Sequence, residues 1–169
     1  MLRMLAFALV LMLQSGAKLV PPAAHIPATE LDTALKDAIA RKRVDVPVQT
    51  VDAGGHNVEV AMVYVAQPTG YVSHDKVTEM YYVIEGSGTY VSGGRLVNPT
   101  KADIAPTGVS QSGVSIEGGT TRTVGKGDYI VLPAGTPHAW TQIAAPLTYV
   151  DIRIDPEKIL LPLGKRRLK

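Results

Sequence analysis

Three residues in this chain have the types and the settings for metal chemistry: His74, Glu79 and His138. Two neutral imidazoles and one carboxylate suit Fe(II), Mn(II), Zn(II) or Ni(II), and leave coordination positions open for water or substrate. His74 and Glu79 stand five residues apart. An odd separation puts them on opposite faces of a continuous strand, so they converge only if the chain turns between them. Residues 75–78 can supply that turn. His138 follows Pro133-Ala134-Gly135-Thr136-Pro137, a rigid turn that aims the next strand. The bland alternative is a structural pair of imidazoles in a packed core. The other two histidines, His25 in a Pro- and Ala-rich arm and His56 in a Gly-Gly-His-Asn turn, read as exposed loop residues.

Short strands must position the three residues. Residues 58–65 (VEVAMVYV) and 80–84 (MYYVI) predict strands, and a third at 89–92 follows Gly86-Ser87-Gly88. Gly93-Gly94 turns the chain again. Residues 129–132 and 138–143 flank the Pro-rich turn, and 147–154 (LTYVDIRI) close the series. Regular short strands with Gly and Pro between them predict a sandwich or barrel. Residues 98–123 are either an extra hairpin or a long excursion over the barrel mouth. Ahead of the strands, Thr29-x-x-Asp32 reads as the capping box of a short helix. Leu31, Leu35, Ala38 and Ile39 have helical spacing, and Arg41-Lys42-Arg43 makes a solvated C-terminal end. Residues 159–163 are expected to pack on the barrel, with a frayed basic end at 165–169.

Two motifs sharpen this reading. Glu79-(x)6-Gly86 matches the latter half of the first cupin motif. Gly127-(x)5-Pro133-x-Gly135-(x)2-His138 matches the second at every fixed position through the His. From about Val58 to Ile154 the chain resembles the cupin superfamily, and its small single-domain bacterial members in particular. The resemblance implies an all-β fold: a single cupin jelly-roll β-barrel with a short N-terminal helix or arm. The resemblance covers the barrel alone; with the patterning outside it, the chain divides into a signal peptide at 1–17, an arm at 18–48, the barrel at 49–155 and a basic tail at 156–169. The resemblance also implies that His74, Glu79 and His138 hold one divalent transition metal (Fe, Mn, Zn or Ni). The match has departures. Val72 stands where the first His of the family's His-x-His pair would be, Ala66 where the first motif opens with Gly, and Gln142 where the second ends with Asn. Three of the four usual ligands remain.

Strand alternation outlines a pocket. If Glu79 points inward, so do Tyr81 and Val83; if His138 does, so do Trp140 and Gln142; Val72 shares a face with His74. Such a pocket suits a small ligand, partly aromatic or carbonyl-bearing. Tyr81 is the candidate for proton transfer. Tyr149, Asp151 and Arg153 share one strand face, read here as a solvated face with an ion pair.

Composition narrows the partners. The 169 residues carry 17 Lys+Arg against 15 Asp+Glu, a net charge of +2, which implies no nucleic-acid face. Absence of Cys excludes disulfides, thiolate metal sites and a Cys nucleophile. Residues 1–17 begin with Arg3, continue through ten apolar residues at 4–13 and end in Ser15-Gly16-Ala17, the pattern of a cleaved secretory signal. Ten apolar residues are too few to span a bilayer, so no stable membrane anchor is expected. The reading at this level is an exported cupin, periplasmic or secreted. It would act on a small molecule at a two-His-one-Glu metal site by dioxygenase, isomerase or lyase chemistry, and pair as a homodimer. The alternative is a non-catalytic binding cupin, a periplasmic sensor or carrier, which the absence of a His at position 72 favours.

Overall fold

The computed structural model describes residues 22–104 and 106–162; the signal peptide expected at 1–17 and the frayed end expected at 165–169 lie outside them. Helix α1 (Ala28–Ala40) opens after Pro27 with no side-chain cap. The capping box expected at Thr29 does not form. Pro27 supplies the extended entry, while the Thr29 carbonyl accepts a bond from Thr33 Oγ1 at 2.7 Å. Ala34 and Ala38 are buried, and the small face they make lets the helix lie close against the first two strands. At its C-terminus Lys42 is left-handed (φ 53°) and its N–H bonds Ile39 O, which turns the chain into the sheet.

Eleven strands follow: β1 (Asp45–Asp52), β2 (Asn57–Val65), β3 (Tyr71–His74), β4 (Thr78–Ser92), β5 (Arg95–Val97), β6 (Thr100–Ile104), β7 (Gly108–Gly113), β8 (Ser115–Glu117), β9 (Thr120–Gly125), β10 (Tyr129–Leu132) and β11 (His138–Asp155). Nine form one curled sheet in the order β1-β2-β11-β3-β7-β6, with β4 pairing β11, β10 and β9; β5 and β8 form a small second sheet. All pairings are antiparallel. The architecture is the expected all-β jelly roll.

Two strands are longer than the sequence suggests. The segments 80–84 and 89–92 are one strand, β4, and 138–143 and 147–154 are one strand, β11. Gly86 and Gly88 do not end β4; they let β11 pass close to it. A Cβ on Gly86 (φ +85°) would meet Pro146 O at 2.0 Å, and one on Gly88 would meet Gln142 O at 2.6 Å. Register shifts in β11 between Trp140 and Tyr149 take up the curvature at the same place.

Residues 98–123 contain an extra hairpin. β6 and β7 pair with each other, and β7 adds itself to β3. Toward the C-terminus Leu160 is buried, its carbonyl accepting from Asn57 Nδ2 at 3.0 Å and its N–H donating to Asp155 at 2.7 Å.

Register decides what the barrel contains. Arg153 sits opposite Glu59 on one side and Glu79 on the other; Asp151 sits opposite Ala61 and Tyr81, and Tyr149 opposite Val63 and Val83. All of these side chains are buried. The face of Tyr149, Asp151 and Arg153 is therefore inside the barrel, not solvated as the sequence suggested. Its apolar counterpart, Val150, Ile152 and Ile154, faces out.

Gly86→Ala should cost at least about 2 kcal/mol, because the new Cβ meets backbone that cannot retreat and the φ is left-handed. Urea unfolding measures it; a loss below about 0.5 kcal/mol would contradict the close approach.

Candidate metal centre

Each ligand candidate is aimed by a different piece of backbone. His74 ends β3, the chain turns through Asp75 to Val77, and Glu79 enters on β4. Asp75 N–H donates to Val109 O at 3.0 Å, which fixes the turn against the added hairpin. The Pro-rich turn before His138 is bonded to the same corner: Gly135 N–H donates to His74 O at 2.7 Å. The three side chains are buried and their ligand atoms lie within 4.8 Å of one another.

Hydrogen bonds set the tautomers. Ser110 Oγ donates its proton to Gly108 O at 2.8 Å, so toward His74 Nδ1, also at 2.8 Å, it can only accept. His138 Nδ1 faces the Thr136 carbonyl at 3.0 Å, which again requires an N–H on Nδ1. This bonding assigns the proton of each neutral ring to Nδ1 and leaves each Nε2 with a lone pair. Both Nε2 atoms lie 3.7 Å from the same oxygen, Glu79 Oε2. Burial pushes His74 down to about 4, against the pull of the Glu79 charge, so its ring is neutral at neutral pH. Three lone-pair donors thus converge on one point. That donor set fits a divalent transition metal held by Nε2 of His74, Nε2 of His138 and Oε2 of Glu79.

Glu79 is held from its other side. Burial alone would raise its pKa, but the neighbouring His74 and His138 rings, the Arg153 charge and the Tyr81 hydroxyl bring it below the usual value. Tyr81 OH donates to Glu79 Oε2 at 3.0 Å, and Arg153 Nε lies 3.5 Å from Oε1. Arg153, only 1% exposed, also bonds Glu59 at 2.9 Å, Asp151 at 2.7 Å and Asp45. Burial drives the Asp151 carboxyl well above the ordinary range, against the pull of Arg153.

A cavity of about 810 Å³ opens onto the three ligands. Tyr81, Trp140 and Tyr149 form its aromatic floor, Ile104 and Thr107 of the hairpin one wall, and Ile39 and Lys42 of the helix end its rim. Residues 98–123 are thus both an extra hairpin and a wall of the mouth.

Of the pocket residues expected from sequence, Val72, Tyr81 and Trp140 line the cavity. Val83 is fully buried behind it, in the core cluster. Gln142 is a correction: it is exposed and accepts a bond from Thr89 Oγ1 at 3.3 Å. The bulge after Trp140 breaks the alternation that would have carried Gln142 inward. Val72 sits opposite His138 across the β3–β11 pairing, on the same strand face as His74. His25 is exposed and His56 half-buried, and neither belongs to the cluster. Sequence reading missed Ser110, Asp45 and Glu59. Glu59 alone carried a signal, a carboxylate within the apolar run VEVAMVYV.

The two motifs occupy the strands that build this centre: Glu79 to Gly86 lies in β4, and Gly127 to His138 spans β10 and the turn into β11. The fold is that of the cupins. Neither a protein-family model nor a curated protein matches the sequence. Among solved structures, BH2720 from Bacillus halodurans is 19% identical, over 80% of this chain and 84% of that one, with a TM-score of 0.48. DMSP lyase DddQ from Ruegeria pomeroyi DSS-3 is 16% identical, over 86% and 79%, with a TM-score of 0.43. A Klebsiella pneumoniae protein with a double-stranded β-helix domain is 14% identical, over 68% and 74%, with a TM-score of 0.40.

The neutral, buried His74 gives metal-free protein a signature. Between pH 6.5 and about 4 the unfolded chain binds this proton and the folded chain does not. Stability should therefore fall as pH drops through that window, by up to roughly 3 kcal/mol, and be insensitive to His74 above it. Urea titrations of metal-free parent and His74→Gln across the window check this; equal slopes for the two would contradict it.

Proposed function

We propose that this chain is an exported, metal-dependent cupin that acts on a small molecule bound at His74, Glu79 and His138. The observation that carries the reading is the convergence of two Nε2 lone pairs on Glu79 Oε2 at 3.7 Å, at the floor of a cavity large enough for a small organic ligand. Fe, Mn, Zn or Ni bound there would polarise or chelate substrate oxygens. Dioxygenase, isomerase and lyase chemistry could each use a substrate held in that way. Export is supported by the charged, apolar and small-residue succession in residues 1–17.

The chain's own residues have separable roles in this reading. Tyr81 keeps its proton, since burial drives the phenol well above 10, and holds Glu79 by donating to it. It bonds the Glu79 carboxylate directly, at 3.0 Å, and so is the candidate donor to a strongly basic intermediate. Ser110 and the Thr136 carbonyl hold the imidazoles in the ligating tautomer. Trp140 and Tyr149 supply aromatic lining for an aromatic or carbonyl-bearing ligand.

Calorimetric titration of metal-free protein with Zn(II) and Mn(II) tests the site. Ser110→Ala removes the acceptor that fixes His74 and should weaken binding about 10–100-fold. Val72→His should tighten binding about tenfold or more, because residue 72 lies on the His74 face opposite His138. A folded Ser110→Ala and a folded Val72→His that both bind like the parent would sink the proposal.

A further inference from the structure

The cavity is larger than its metal centre requires. Its volume of about 810 Å³ lies toward the upper end of the roughly 300–1,000 Å³ of pockets that enclose drug-sized ligands. A pair of chelating oxygens beside His74, Glu79 and His138 fills a small part of it. The surroundings of the remainder decide what else a ligand must contain. Among the described residues, the charged side chains along the cavity other than Glu79 are Lys42, Asp45, Asp151 and Arg153. Lys42 is exposed, at the rim. The other three are bonded to one another, since Arg153 holds both Asp45 and Asp151. The oxygens these carboxyls leave without a bond, Asp45 Oδ1 and Asp151 Oδ1, are closed off from solvent, as are Thr107 Oγ1 and Trp140 Nε1. A charged or heavily hydroxylated ligand body would give up its water there and gain little in return. The surface left to it is apolar: Val63, Val65 and Val72 with the rings of Tyr81, Trp140 and Tyr149.

The apolar surface continues to the mouth. Ile39 at the end of α1 is 48% exposed and Val44, just ahead of β1, is 51% exposed, and both border the cavity. Ile39 lies off the buried Ala34 and Ala38 stripe of the helix. Val44 is held in place by its carbonyl, which accepts from Tyr64 N–H at 2.9 Å. Folding thus leaves both side chains uncovered. A single exposed apolar side chain is ordinary, but these two flank one opening into an apolar interior, which Ile104 and Pro106 of the hairpin also line. We infer that the ligand is an uncharged, mainly apolar molecule of at least two rings, whose oxygen-bearing end meets the metal and whose far end lies against Ile39 and Val44. The inference rests on the cavity being the ligand site, as proposed above. The end of α1 is then part of the binding surface, and it selects for the length of the ligand body.

Trp140 is the single tryptophan of the chain and lines the cavity, so its fluorescence reports occupancy directly. Zn(II)-loaded protein is titrated with acetohydroxamate, cyclohexanecarbohydroxamate and cyclohexyl-cyclohexanecarbohydroxamate, which share a chelating head and add one ring at a time. Gluconohydroxamate carries the same head on a hydroxylated body. Binding should tighten about tenfold or more with each ring, and gluconohydroxamate should bind no better than acetohydroxamate. Ile39→Gln and Val44→Thr should each weaken the two-ring probe about three- to tenfold and leave acetohydroxamate unchanged. Metal-free protein titrated with cyclohexanol and cyclohexylcyclohexanol gives a reading that needs no chelation: the two-ring alcohol should bind more tightly, and less so in the rim variants. If the alcohols follow this order while the hydroxamates gain nothing from Zn(II), the proposed chelation falls and this inference stands. Equal affinities for one and two rings in both series, gluconohydroxamate binding as tightly as the two-ring probe, or a two-ring gain unmoved by both folded rim variants would each overturn it.

Discussion

Arg153 carries a full positive charge inside the barrel, and a guanidinium there is tolerated only if its donors are met by carboxylates. Asp45 from β1, Glu59 from β2, Glu79 from β4 and Asp151 from its own strand meet them. Four strands are thus drawn to one point by one cation. The requirement reaches in both directions. Toward the arm, Asp45 ties the first residue of β1 into the interior. Toward the cavity, the contact at Glu79 Oε1 leaves Oε2 to face the two imidazoles. A single buried charge therefore couples the arm, the barrel and the candidate ligand set.

The charge balance of this interior is one-sided. Four carboxylates surround one guanidinium, and burial raises the Asp151 carboxyl against the pull of Arg153. Carboxyl groups thus outnumber cations in a region where His74 is held neutral. A divalent ion between the imidazoles and Glu79 would offset that excess. Bonding at the outer nitrogens leads to the same requirement: Ser110 and the Thr136 carbonyl each take up a ring N–H, so both rings turn lone pairs inward. Two lines of reasoning, one from net charge and one from tautomers, ask for the same cation.

The ligand set was legible in the sequence because local features decide it. A turn between His74 and Glu79 and a Pro-Gly-Pro turn before His138 act over a few residues. The Arg153 network was not legible, because its members come from strands whose pairing is long-range. LTYVDIRI has an apolar face and a polar one, and the ordinary rule puts the apolar face inside. Here the rule is inverted: the barrel interior holds Asp151 and Arg153, and Val150, Ile152 and Ile154 face out. Gln142 was misplaced for a related reason, since a bulge set by pairing with β4 interrupts an alternation that looks regular in sequence. Gly86 and Gly88 looked like strand ends, whereas they are the points where two long strands come closest.

The central claim is that these three residues hold one divalent metal ion. Elemental analysis of untagged protein, reconstituted and then freed of loosely bound ions, tests it most directly when run beside Glu79→Gln. The account predicts close to one transition-metal ion per chain in the parent and little in the variant, with X-ray absorption of the parent showing two imidazole nitrogens on the ion. A folded parent that retains less than about a tenth of an equivalent, or a Glu79→Gln variant that retains as much as the parent, would contradict it.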